Sequence, residues 1–176
     1  QAVIAIENTR LFEAEQASKR ELQESLEYQT ATSEVLNVIS RSPTELQPVL
    51  DAIAATAARL CESMDATVWR VAGGRARRVA QFGSPTSSSA LPLTRGSVTG
   101  RAIVDRKTIH VHDLAAMVET EYPDVKEIQQ RVGHRTTLAT PLLSQGEALG
   151  AISVRKNHVH PFSDRQITLR RTFADQ

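Results

Sequence analysis

The spacing of apolar residues changes along the chain, and each change predicts a different kind of element. Residues 1–42 hold no Gly and no Pro and are rich in Ala, Leu, Glu, Gln, Lys and Arg, the residues that lose least on entering a helix. An unbroken helix over them extends roughly 60 Å at the α-helical rise. Ala2 to Ile6 is apolar all round, Glu13 to Glu27 is mostly charged or polar, and Leu22 and Leu26 keep a thin apolar stripe. Leu11, Ser18, Ser25, Thr32 and Ile39 share one heptad position, too weak a seam for an independent coiled coil. The pattern predicts a long helix that needs partners: neighbouring domains at its ends and a second chain along its length.

Ser42, Pro43 and Glu45 have the form of a capping box with proline at the first helical position. Leu46, Val49, Leu50, Ile53, Ala57, Leu60, Cys61 and Met64 then recur at helical spacing on one face. Pro48 falls in the first turns, where a missing amide donor does little harm. The expectation is a core-packed helix over 43–63.

From Asp65 the period becomes two. Strands are predicted at 66–71 and 77–82 around Gly73-Gly74, as a hairpin. A polar loop at 84–89 leads to a short strand at 91–93. Ser97 is placed to cap a short helix ending at Asp105, and 108–112 reads as a strand. Residues 115–132 form a loop-and-helix excursion with Asp124 a helix start. A second hairpin pairs 136–143 with 148–155 around Ser144-Gln145-Gly146-Glu147. Ser163 with Gln166 is another capping box, opening a helix to the last residue. The order predicts an α+β fold: a central antiparallel sheet of five to six strands with helices on both faces. The long N-terminal helix, 1–40, precedes the compact domain, 41–176.

Composition narrows the function. Of 176 residues, 40% are hydrophobic and 23% charged, enough for a real core and not the profile of a disordered chain. A net charge of +1 gives no electrostatic case for nucleic acid or an anionic membrane. The short basic run Arg75, Arg77, Arg78 reads as a solvated strand end. No stretch approaches the ~20 apolar residues of a membrane span, and the first residues lack the features of a signal peptide. One cysteine, Cys61, cannot make an internal disulfide, which suits a reducing, cytoplasmic setting. It lies on the apolar helix face, so a packed core thiol is expected rather than a nucleophile.

Three stretches together resemble the GAF domain family. TTLATPLLSQGEALGAISVRKNHVHPFSDRQITLRRTFADQ is similar to its C-terminal half, with two strands around a polar turn and an F-[ST]-x-x-[QE] helix start. LTRGSVTGRAIVDRKTIHVHDL resembles its glycine-rich strand-to-helix turn, short helix and following strand. RSPTELQPVLDAIAATAARLCES resembles its first core helix. The resemblance spans residues 33 to 176 and rests on order and spacing more than on any one motif. Members often continue FADQ into a helix like AIAIENARLF. Here FADQ stands last and QAVIAIENTRLF first. The resemblance therefore implies one unit of a tandem array, or a unit that follows another such domain, in a bacterial multidomain signalling protein such as a sensor histidine kinase of a two-component system or a nucleotide cyclase. No kinase or cyclase motif is present.

That family implies a sensory domain that binds a small molecule and signals through dimeric helices to an output domain. The alternative is a ligand-free dimerisation and transmission module, and the sequence does not separate the two. Enzymatic and chromophore-bearing branches place cysteines near the pocket. No cysteine follows residue 61, so no catalysis is expected. Lys156-Asn157 reverses the Asn-Lys of the cyclic-nucleotide signature, Phe162 and Asp164 are misspaced, and Arg165 replaces its acidic residue, which argues against cyclic nucleotides. The pocket is expected between one sheet face and the excursion at 113–135. Asp113, Tyr122, His134, Arg135 and Thr137 are its expected polar groups, with Trp69 and Phe82 as apolar wall. Arg135 is the leading candidate, since its planar fork matches a carboxylate or phosphate. His110-x-His112 and His158-x-His160 place imidazoles in pairs, but a zinc site needs further converging ligands. They are expected on the sheet surface and in the turn before Pro161. The residues specify no cofactor and no metal. A parallel homodimer through the terminal helices is expected, since two output domains must emerge at the same end.

Overall fold

The structure is a computed structural model that describes residues 2–41, 46–84 and 88–168. Its contacts divide into two compact units, 1–41 and 42–176. The first is one helix, α1 (Ala2–Arg41), 40 residues long. Val3, Ile4, Ile6, Leu11, Phe12, Leu22, Leu26 and Leu36 are exposed along it.

The second unit runs α2 (Leu46–Leu60), β1 (Asp65–Ala72), β2 (Arg75–Gly83), β3 (Ala90–Pro92), α3 (Val98–Asp105), β4 (Ile109–Val111), α4 (Lys126–Val132), β5 (Thr136–Ser144) and β6 (Glu147–Lys156). Single 3-10 turns at Leu114–Ala116 and Pro123–Val125 fill the excursion ahead of α4. Among the described residues the six strands form one antiparallel sheet in the order β3-β2-β1-β6-β5-β4. This is the α+β architecture that the alternation predicts. The box at Ser42 to Glu45 lies outside the described residues, as does the chain beyond 168.

Local chemistry sets the boundaries. Both hairpins turn on pairs with positive φ, Gly73-Gly74 and Gln145-Gly146, the two-residue geometry that suits strand twist. Ser97 Oγ accepts from the Gly100 amide at 2.9 Å and so starts α3. A Cβ on Gly100 would meet the Thr94 carbonyl oxygen at 2.4 Å, so only glycine lets the strand-to-helix turn close. At the other end, Ser163 and Gln166 exchange two bonds, Ser163 N–H to Oε1 at 3.0 Å and Gln166 N–H to Oγ at 3.2 Å. This reciprocal cap opens a helical segment over 164–168.

Strand parity then divides the core in two. Ala66, Val68, Leu138, Ile152 and Val154 face α2 and pack on Ala54, Ala57, Ala58, Cys61 and Phe162, with Ile167 against the same cluster. Cys61 is fully buried there, as its helical position predicts. His110 shares this face, since it stands opposite Leu138, and its Nε2 accepts the Phe162 amide at 3.1 Å. Asp65, Thr67, Trp69, Thr137, Ser153 and Arg155 point the other way. Over that face α3, α4 and the excursion build a second cluster of Val98, Ala102, Val111, Leu114, Val118, Tyr122, Val125 and Ala139.

A bulge complicates β2. Val68 pairs with Ala80 but Trp69 with Arg78, so Val79 is an extra residue. It flips the parity of β2, and Ala80 and Ala76 are buried on opposite faces although four residues apart.

Thr140 is opposite Ile152 on the α2 face, 2% exposed, and its hydroxyl has no partner among the described residues. Burying a hydroxyl without a hydrogen bond costs free energy that an isosteric methyl avoids. Thr140→Val should therefore stabilise the domain by about 1 kcal/mol, read as a shift in the urea midpoint at constant slope. A destabilised variant would show that the hydroxyl is bonded after all.

Candidate functional site

The second sheet face encloses a cavity of about 50 Å³. Thr67 and Trp69 of β1, Thr137 of β5, and Ser153 and Arg155 of β6 make its floor. Ser97 to Thr99 at the start of α3, Leu91, Leu114, Val125, Ile128 and His134 make its walls.

Each polar residue is set by identifiable local structure. Asp65 and Arg155 are opposite in the β1–β6 register, on the two central strands of the sheet. Arg155 Nε donates to Oδ1 at 2.8 Å and Nη2 to Oδ2 at 2.5 Å. The two side chains are 10% and 1% exposed. Burial pushes the Asp65 carboxyl above its ordinary value, outweighing the downward pull of the guanidinium. Arg155 is thus held by Asp65 on one edge, while Nη1 makes no hydrogen bond among the described residues. Trp69 Nε1 donates to Ser153 Oγ at 2.9 Å, which fixes the indole against the floor. The chain leaves α4 through Gly133, left-handed at φ 75°, and drops His134 onto the sheet. Gln129, itself buried, donates to the His134 carbonyl at 3.0 Å and holds that drop in place. Neither His134 Nδ1 nor Thr137 Oγ1 has a partner among the described residues, and both atoms are shut off from bulk solvent. Burial, with Arg155 nearby, lowers the His134 pKa to about 3, so the ring is neutral at physiological pH.

The residues singled out from sequence divide. Trp69, His134 and Thr137 line the cavity together. Phe82, Asp113, Tyr122 and Arg135 stand outside the lining, each for a physical reason. Phe82 is opposite Ala66, so strand parity turns it to the α2 side, where it is 48% exposed. Tyr122 is packed among Val98, Leu114 and Val125, and Arg101 stacks on its ring at 4.3 Å. The Arg135 fork is already filled. Its Nε and Nη2 donate to the two oxygens of Asp113 at 2.6 Å each, near the surface, and hold the Asp113 carboxyl below its ordinary value.

The arginine that reaches the cavity is Arg155, which the sequence reading passes over. A signal for it exists. Ile152 and Val154 fix one face of β6, so Ser153 and Arg155 must point to the other. Ser97, which the sequence marks as a helix cap, borders the cavity together with Val98 and Thr99. The histidines form pairs, with ring centroids 4.6 Å apart for His110 and His112 and 5.8 Å for His158 and His160. Among the described residues no group of three or more His, Cys, Asp or Glu is arranged to hold a metal. None of their helices is long and apolar enough to cross a membrane.

The buried imidazole has a measurable signature. The unfolded chain takes up a proton near pH 6.5, whereas folded His134 refuses one until about pH 3. Its contribution to stability is therefore complete above pH 6.5 and lost as pH falls toward 3. Between pH 7 and 5 the wild type should lose about 2 kcal/mol more than His134→Gln, measured by urea unfolding at each pH. Equal losses in the two proteins would mean that the ring is not buried in its neutral form.

With this geometry in view, the likeness to known proteins is informative. No curated protein sequence matches the chain. Among solved structures, the GAF domain of an Acinetobacter phosphoenolpyruvate-protein phosphotransferase superposes with a TM-score of 0.70 at 13% identity, covering 88% of this chain and 89% of its own. The corresponding domain from Coxiella burnetii gives 0.71 at 16%, covering 86% and 88%. The free methionine-R-sulfoxide reductase of Neisseria meningitidis, solved in complex with its substrate, gives 0.68 at 19%, covering 86% of each chain. At these identities the structures speak to the fold alone. The family profile described as GAF domain matches residues 45–176, three quarters of the chain, and the protein therefore belongs to the GAF domain family, whose members are commonly regulatory or sensory ligand-binding domains.

Proposed function

We propose that the domain binds a small molecule in the cavity between the sheet and α3–α4, and passes a conformational signal through its terminal helices to an output domain outside this chain. The observation that carries this reading is the pair of buried, unpartnered polar atoms, His134 Nδ1 and Thr137 Oγ1, on the lining of one cavity. More than nine in ten buried polar groups in folded proteins are satisfied. Two exceptions on the lining of one cavity offer hydrogen-bonding capacity that a small molecule can use.

The site is read as a binding site and not a catalytic one. One member of the structural neighbourhood is a reductase solved with its substrate, so the fold is compatible with small-molecule chemistry. Here the lone cysteine is packed in the α2-side core, across the sheet from the cavity. The reading keeps the wider setting implied by sequence: a cytoplasmic tandem array feeding a histidine kinase or nucleotide cyclase. The exposed apolar residues of α1 favour a parallel homodimer through the helices, because so much apolar surface on one helix is costly to leave in water.

Trp69 is the chain's one tryptophan and lines the cavity, so its emission reports occupancy directly. A metabolite library should contain a compound that shifts that emission and raises the melting temperature. At a hundredfold excess over Kd the gain is about 2.7 kcal/mol. A library in which nothing moves either signal would favour the ligand-free transmission module instead.

For the dimer, sedimentation at tens of micromolar should give twice the chain mass, and a monomer there would end that proposal. Leu11→Cys with Cys61→Ala should cross-link efficiently if the helices run parallel and in register. A proven dimer that does not cross-link would exclude the parallel arrangement.

A further inference from the structure

The unfilled hydrogen-bonding capacity around the cavity leans toward donors, and that bias points to a class of ligand. His134 Nδ1 can donate or accept according to its tautomer, whereas the remaining groups can all donate. Arg155 spends Nε and Nη2 on Asp65 and keeps Nη1. Thr137 has an unused hydroxyl. The Ser153 oxygen receives the Trp69 N–H, which leaves its own proton to give. Val98 and Thr99, the first residues of α3, have amides with no carbonyl to bond within the helix, and both residues line the cavity. The Gly100 amide, by contrast, is taken by Ser97. On the acceptor side, both Asp65 oxygens are engaged by Arg155. A helix N-terminus, a guanidinium edge and two hydroxyls all favour negative charge.

Size and lining limit which anion fits. The cavity of about 50 Å³ has room for more than a single water but is small for a ligand site, so it takes a compact body. Trp69, Leu91, Val98, Leu114, Val125 and Ile128 give it apolar walls. The one cation on the lining already shares its charge with Asp65, so each further negative charge rests on neutral donors and the start of α3, and a monoanion costs less to bury there than a dianion such as phosphate.

We propose that the cavity binds a small monocarboxylate with a compact apolar body, the carboxylate facing Arg155 Nη1, the Thr137 hydroxyl and the start of α3, and the body against Trp69 and Leu114. The inference rests on the ligand-binding reading above and narrows it. It also explains the orphaned Thr137 hydroxyl, whose partner is then the ligand. His134, neutral at physiological pH, adds hydrogen-bonding capacity without adding charge.

The test uses acetate, butyrate, isovalerate and benzoate, each beside its own amide, and inorganic phosphate, titrated against Trp69 emission and melting temperature on the full chain. At least one carboxylate should bind saturably and at least tenfold more tightly than its isosteric amide, with phosphate inert. Arg155→Met removes one side of a buried ion pair and threatens the fold, so the decisive variant is Thr137→Val. It should melt at or above the wild-type temperature without ligand, because it removes an unsatisfied hydroxyl, yet bind the same carboxylate about five- to tenfold more weakly. Thr140→Val, on the far side of the sheet, should leave that affinity unchanged. Amides that bind as well as their acids, or a Thr137→Val affinity equal to wild type, would overturn the carboxylate assignment while leaving a ligand site in place. If none of these probes binds and the metabolite library is also silent, the ligand-binding reading falls with it.

Discussion

Asp65 and Arg155 sit ninety positions apart in the sequence and bond through two atoms each across the central strands. Two charges taken out of water at that depth are worth keeping only if they face each other well, and losing either leaves the other stranded at a cost of about 3–5 kcal/mol. The pair therefore discriminates against misalignment of β1 and β6. A slip of one residue would send Asp65 to the α2 side, among Ala66, Val154 and Cys61, with no countercharge there. The register that satisfies the pair also seals one face of the sheet and builds the cavity on the other. Arg155 so serves two ends with one side chain: one edge fixes the strands and the remaining nitrogen is available to the cavity.

The two faces of the sheet do different work because their helices differ in character. On one side α2 presents alanines, and Cys61 follows in the turn at its end, small residues that let the helix lie close to the strands. On the other, α3 is short, and the excursion from 113 to 135 is mostly turns. Such a cover packs well at its own centre, around Tyr122 and Leu114, but leaves space where it meets the strands. Polar residues of the floor remain there without partners. The same alternation that hides Cys61 puts Thr137 and Arg155 beside that space.

Much of this was written in local sequence. The caps at Ser97 and Ser163, the glycine turns of both hairpins and the change of period at Asp65 are short-range signals, and the elements follow them closely. The site was legible only in part, because it depends on pairings between distant segments. Arg135 and Arg155 look alike in sequence as arginines near the ends of strands. What separates them is what lies opposite: Asp113 closes on Arg135 at the surface, whereas Asp65 meets Arg155 in the interior. Phe82 failed to reach the cavity for a similar reason, since its face is decided by its pairing with Ala66. The bulge at Val79 leaves no mark in composition, yet it reverses the facing of half a strand.

The clasp between Asp113 and Arg135 has a consequence for how this architecture can vary. With the Leu114 amide bonded to the Arg135 carbonyl at 2.7 Å, it ties together the two ends of the excursion where it leaves and rejoins the sheet. A loop cinched at its base contributes to the folding balance mainly through the entropy of its closure, which grows only logarithmically, by about 0.6 kcal/mol for each doubling of length. Length can accordingly change at the exposed positions between 115 and 132 at little cost to the strands beneath, while Val118, Tyr122 and Val125 stay tied to the core they share with α3. The floor is constrained by a buried charge pair and the roof by only a few apolar anchors, so one scaffold can present differently shaped chambers over the same fixed guanidinium.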